Sequence, residues 1–140
     1  MIQIQSWLRR TTTLDSQAAA RLAARAALEK HAEAVVVMDV RGLSTVADFF
    51  VIGTAGSTRQ LTALKEHLED VLEQHGYPVS HTEGTPEPLD TSRSGTNHVP
   101  QWVLMDCGDL IVHLFDEPAR DFYRLEDLWA DAPRLSLEPQ

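Results

Sequence analysis

The sequence predicts an α/β domain with a mixed sheet of about five strands flanked by helices, on three observations. Helix-forming and β-branched stretches alternate over residues 14–83, and a long amphipathic segment separates two strand-like runs. The third is WVLMDCGDLIVHLF, residues 102–115, which reads as two strands joined by a tight turn.

The elements follow in order. LDSQAAARLAARAALEKHA, starting at Leu14, is rich in Ala, Leu and Arg, which lose little freedom in a helix, and Asp15 or Ser16 is placed to cap it. Leu14, Ala18, Leu22 and Ala26 recur at every fourth position and predict one narrow apolar stripe. AVVVMDV (34–40) and DFFVIGT (48–54) have no helical period and predict two buried strands around the loop RGLSTVA. Ser57 and Gln60 then have the spacing of a capping box, in which each side chain satisfies the other residue's free backbone N–H. Leu61, Leu64, Leu68, Val71 and Leu72 form the inner face of the helix that follows, and Lys65, Glu66, Glu69, Asp70 and Glu73 its outer face. Gly76 suits a left-handed stop. A helix of this length leading into the short strand YPVSHTE (77–83) predicts a right-handed parallel crossover.

After Gly84 the stretch TPEPLDTSRSGTNHVP has three Pro, one Gly and few apolar residues, so a surface loop is expected at 85–100. Beyond the hairpin a last helix is expected from Glu117 and Pro118, with Pro118 at the first helical position and Phe122, Leu125, Leu128 and Trp129 as its apolar stripe. Residues 14–135 then form one domain between tails at 1–13 and 136–140. The first tail lacks the apolar stretch of a secretory signal.

Composition narrows the function classes. With 43% hydrophobic and 24% charged residues, and no apolar run near the ~20 residues of a membrane span, no membrane association is expected. Cys107 stands alone, so neither an internal disulfide nor a thiolate zinc site is available, and a cytoplasmic location is the simpler expectation. Twelve Lys and Arg against 21 Asp and Glu give a charge of -9, with the cations unclustered. Direct nucleic-acid binding is therefore not expected, whereas a basic protein partner would be drawn to this surface. The six His lack paired ligand spacing backed by a carboxylate or Cys, so no metal and no cofactor are expected.

The hairpin carries the functional signal. If Gly108 and Asp109 form a two-residue turn, Val103, Met105, Cys107, Leu110, Val112 and Leu114 share one wholly apolar face. The opposite face holds Trp102, Leu104, Asp106, Ile111, His113 and Phe115, an apolar and aromatic patch with two polar groups set into it. Either a helix of the same chain covers this patch, or part of it stays open for a partner, in keeping with the Trp-centred composition of interface hot spots. A three-residue turn would exchange the faces of the second strand and dissolve the patch. His113 either donates to a partner carbonyl or bonds Asp106 or a backbone group internally; Cys107 reads as a small core residue.

The stretch DVRGLSTVADFFVIGTAGSTRQ (39–60), the Glu83-Gly84 pair and WVLMDCGDLIVHLF followed by YRLEDLW (123–129) resemble the ribosomal silencing factor, or Iojap, family. The resemblance implies a noncatalytic protein with a nucleotidyltransferase-like fold. It would bind the large ribosomal subunit through ribosomal protein number fourteen, obstruct joining of the small subunit and so repress translation. It also implies a role beside large-subunit assembly and a homodimer when free. Trp102 falls on the family's partner-binding tryptophan; Leu104, Asp106, His113 and Phe115 are nominated from strand geometry. The family passes from Glu-Gly to Trp in a handful of residues, whereas here seventeen separate Gly84 from Trp102, so the insertion borders the expected contact surface.

Two other classes compete with this one. A Mg-nucleotide transferase would use Gly56 and Ser57 as an anion cradle and Asp106 and Asp109 as magnesium ligands, but such enzymes carry two carboxylates two residues apart on one strand. Here the two Asp straddle a turn. A dimeric interaction module unrelated to ribosomes is the remaining alternative.

Overall fold

The computed structural model describes residues 15–84 and 101–137; the expected N-terminal tail with Leu14, the expected surface loop at 85–100 and the last residues of the expected C-terminal tail lie outside them. In chain order the elements are α1 (Ser16–Glu29), β1 (Glu33–Asp39), β2 (Phe49–Ala55), α2 (Thr58–Gln74) and β3 (His81–Glu83). They continue with β4 (Trp102–Asp106), β5 (Leu110–Asp116), α3 (Glu117–Tyr123), α4 (Leu125–Leu128) and β6 (Arg134–Leu135).

The strands form one mixed sheet in the order β3-β4-β5-β2-β1-β6, with β2 and β5 parallel and the other neighbours antiparallel. β2 is buried along its whole length between β5 and β1, which is why FFVIGTA shows no polar alternation. β2 and β3 point the same way, so α2 makes the expected parallel crossover, but it passes β5 and β4 to reach the sheet edge. The sheet has six strands rather than five. β6, only two residues long and paired with β1 through Val37 and Met38, is too short to leave a pattern in sequence.

Helix starts and stops follow local chemistry. Asp15 caps α1, its carboxylate accepting from Ala18 N at 2.8 Å. At α2, Ser57 Oγ accepts from Gln60 N at 3.1 Å, but Gln60 Oε1 returns to Gly56 N at 2.6 Å instead of to Ser57. Gln60 Nε2 also donates to the Lys30 and His31 carbonyls at 3.1 and 2.9 Å, tying the end of α1 to the start of α2. Gly76, at φ +85, ends α2 with Tyr77 N on Leu72 O at 2.8 Å and Gly76 N on Glu73 O at 3.1 Å, both bonds of a Schellman stop.

The sheet divides the core in two. On one face Leu61, Leu64, Leu68 and Leu72 of α2 and the alanines of α1 cover Val51, Val103, Met105, Val112 and Leu114. The buried face of α1 is Ala19, Ala20, Ala23, Ala24, Ala26 and Ala27, which shares only Ala26 with the expected stripe; Ala18 and Leu22 are partly buried, and Leu14 lies outside the described residues. Methyl-sized side chains let this helix approach α2 and β2 closely, and that proximity outweighs the greater hydrophobicity of Leu.

On the other face Phe50, Ile52, Ile111 and Phe115 lie under Ala119, Leu125 and Ala132, with Trp102, Leu104 and Trp129 partly buried at the rim. Here the expected single helix is broken. Asp116 caps α3 by accepting from Ala119 N at 3.0 Å, which puts Pro118 at the second helical position. Arg124 then adopts a left-handed conformation (φ 49, ψ 51) and separates α3 from α4. Residues on either side of such a break no longer share a face. Phe122, before the break, is accordingly 72% exposed while Leu125, after it, is buried; Trp129 is partly buried and Leu128, in the same short helix as Leu125, is 75% exposed.

Candidate docking site

The hairpin turn holds two residues. Trp102 pairs with Phe115, Leu104 with His113 and Asp106 with Ile111, and Cys107 N donates to Leu110 O at 2.8 Å. The faces are therefore those expected from the period of two, and neither is wet because helices pack on both. Cys107 is core, and burial, with smaller contributions from Asp106 and Asp109, pushes its thiol up to about 12.

Cover over the second face is incomplete, and it sorts the five nominated residues. Phe115 is 0% and His113 4% exposed, so both lie beneath the surface and support the half-buried Trp102. Asp106 is half-buried, but its Oδ1 accepts from Gly108 N at 2.9 Å and so shapes the turn. It lies four residues along the strand from Trp102, about 13 Å away at ~3.3 Å per residue. Trp102 and Leu104 remain half-exposed.

Trp102 is held in place. Its indole N–H donates to His113 Nδ1 at 3.1 Å, so His113 is bonded to the indole rather than to Asp106 or a backbone group. As an acceptor at Nδ1, His113 carries its proton on Nε2, which is buried and has no partner among the described residues. Burial pushes His113 down to about 3, which keeps the imidazole neutral and the acceptor available. The Trp102 ring lies 5.1 Å from Phe115 and 4.8 Å from Tyr123, while Phe50 meets His113 edge-on at 4.8 Å and Trp129 at 5.2 Å.

Sequence reasoning missed the outer part of this group. Tyr123, 39% exposed, extends the indole surface, and Phe122 stands edge-on to it at 5.0 Å. Read as part of one continuous helix, Phe122 belongs to an inward stripe; the available signal for Tyr123 is the YRLEDLW stretch that it opens. The transferase alternative finds little support at the start of α2, where Gly56 N–H and Ser57 Oγ are both engaged by Gln60. Among the described residues no three His, Cys, Asp or Glu are grouped to hold a metal, and no helix is long and apolar enough to cross a membrane.

Residues 13–140 match the family model described as ribosomal silencing factor during starvation. The chain belongs to this family. The ribosomal silencing factor of Halalkalibacterium halodurans is 35% identical over 125 residues, 89% of this chain and 97% of that protein. The Bacillus subtilis silencing factor is 36% identical over 118 residues, 84% of this chain and 90% of its own length. A crystal structure of a Bacillus halodurans protein, 34% identical, superposes with a TM-score of 0.62 and covers 82% of this chain and 93% of that one. Other relatives carry the names chloroplastic Iojap and mitochondrial assembly of ribosomal large subunit protein 1. These names describe regulation and assembly rather than catalysis.

Proposed function

We propose that this protein docks on the large ribosomal subunit through ribosomal protein number fourteen and sterically blocks joining of the small subunit, repressing translation. The observation that carries this reading is the half-exposed Trp102, tied to His113 and continued outward by Tyr123 and Phe122. Burying a Trp-sized contact at ~25 cal/mol per Å² gives a few kcal/mol, and a ring already fixed in position loses little freedom on docking. The charge of -9 steers the domain toward a basic protein surface, while the apolar platform sets how long it stays.

Blockade then needs no bond-making, only a rigid body seated where a second subunit must approach. In this reading the protein is a cytoplasmic, cofactor-free homodimer when unbound, and a role beside large-subunit assembly uses the same surface. The test is co-sedimentation with purified large subunits. Trp102→Ala is expected to lose binding while its melting transition stays cooperative; full binding by the folded variant overturns the proposal.

A further inference from the structure

Gly84 follows β3 directly and lies against the first peptide of β4. A Cβ at this position would overlap the Trp102 carbonyl oxygen, and would come within 3.1 Å of the Trp102 carbonyl carbon and 3.6 Å of Val103 Cα. All three are backbone atoms, so no side-chain rotation relieves the overlap; either the Trp102 peptide or the edge strand must move. The residue also has φ +73, but so, closely, does Gly42 at φ +81, where a Cβ would meet nothing within 4 Å. Close approach, rather than backbone conformation, distinguishes position 84.

On its other side the start of β4 is clamped. Gln101 O accepts from Asp116 N at 3.1 Å, Gln101 N donates to Asp116 Oδ1 at 3.2 Å, and Trp102 pairs with Phe115. Asp116 is itself fixed as the cap of α3. A methyl group at 84 would therefore push the Trp102 carbonyl toward a neighbour that has no room to retreat. If the edge strand holds its place, the peptide is displaced, and the Trp102 Cα that carries the indole is displaced with it.

We propose that Gly84 is a positioning residue: the empty space where its side chain would stand lets β4 begin where the Trp102 indole meets His113 and presents its ring outward. This inference rests on the docking role of Trp102 for its effect on binding, but its geometric half is independent of that role.

The experiment compares Gly84→Ala with Gly42→Ala in the full chain. Both place Ala at positive φ, and only the first adds the overlap. The indole N–H resonance of Trp102, assigned by its loss in Trp102→Phe, reads the bond to His113. Binding of purified large subunits is measured on the same samples. Gly84→Ala is expected to shift that resonance and weaken binding about tenfold or more, as displacing a hot-spot anchor does, while Gly42→Ala changes neither. Should Gly84→Ala fold poorly, Gly84→Asn tests the same overlap with less backbone strain, because Asn tolerates the left-handed region. An unshifted resonance in the folded variant overturns the inference, since the edge strand would then have yielded instead. So does a shifted resonance with undiminished binding when Trp102→Ala binds weakly. If Trp102→Ala itself binds fully, the docking reading fails, and the resonance alone decides the positioning role.

Discussion

His113 makes the stability of the domain depend on acidity in a calculable way. Burial takes its pKa from 6.5 to about 3, and the groups packed on it are the rings of Phe50, Trp102 and Phe115, none of which offsets a positive charge with a carboxylate. The unfolded chain therefore takes up the proton first. Stability is complete above pH 6.5, falls as pH drops through that value, and the loss levels off only below about pH 3. At about 1.4 kcal/mol per pH unit, the loss from this group reaches about 2 kcal/mol at pH 5 and about 4 kcal/mol at pH 3, against a typical total of about 5–15. The comparison variant is His113→Gln, whose amide oxygen accepts from the indole but does not titrate. Urea unfolding at pH 7 and pH 5 gives each stability by linear extrapolation, and the other five His contribute equally to both proteins. The parent is expected to lose about 2 kcal/mol more than the variant over this interval. Equal losses would show that His113 is not held neutral by burial.

Three further outcomes follow from the same coordinates. Arg120 bonds Glu126 through two N–H groups at 2.8 and 2.9 Å, Thr54 Oγ1 at 2.6 Å and the Ala34 carbonyl at 2.8 Å. Arg120→Met takes the guanidinium from the partly buried Glu126 carboxylate and is expected to lower stability by about 1–3 kcal/mol in urea unfolding; a loss under about 0.5 kcal/mol would mean the network is not holding α3 and α4 to the sheet. Phe122→Ser removes an exposed ring, so stability should change by no more than about 0.5 kcal/mol while large-subunit binding weakens by about tenfold; unchanged binding would exclude Phe122 from the docking surface. Cys107, buried and with its thiol raised to about 12, should resist an aromatic disulfide reagent in the native protein at pH 8 and react only after urea is added; rapid native labelling would contradict its core placement.

What could be read from sequence alone were features encoded within a few residues. The two faces of the hairpin follow from strict alternation around Gly108-Asp109, and α2 is bracketed by the Ser57 cap and the Gly76 stop. What escaped depends on residues distant in the chain. The buried face of α1 is decided by how near α2 lies, so Ala displaces Leu as the contact residue. The break at Arg124 lacks a Gly or Asn to announce it; the neighbouring Arg120 reaches Thr54 and Ala34, 66 and 86 residues away in sequence. That His113 is bonded within the fold is as expected, but that its partner is the indole is not legible, for a related reason. The indole of Trp102 sits diagonally across the strand pair, and strand period gives the face of a side chain but not which neighbour its polar atom reaches.

That break also explains why the platform stays open. A continuous helix carrying Phe122, Leu125, Leu128 and Trp129 on one side would have laid all four on the sheet and sealed the rim around Trp102. With a left-handed residue at 124, Leu125 and Trp129 still cover Phe50 and its neighbours, but Phe122, on the other side of the break, turns to solvent. Burial of a Phe side chain is worth about 1.5–3 kcal/mol, and Arg124 adds the strain of a non-Gly residue at positive φ. A domain of this size has little stability to spare, and in the proposed docking role the cost of exposing Phe122 next to Tyr123 and Trp102 is recovered when a partner covers the three rings. The inner residues then have a separate task. Phe115 and His113 hold the ring in position, so that in the proposed docking role binding energy is not spent in ordering it.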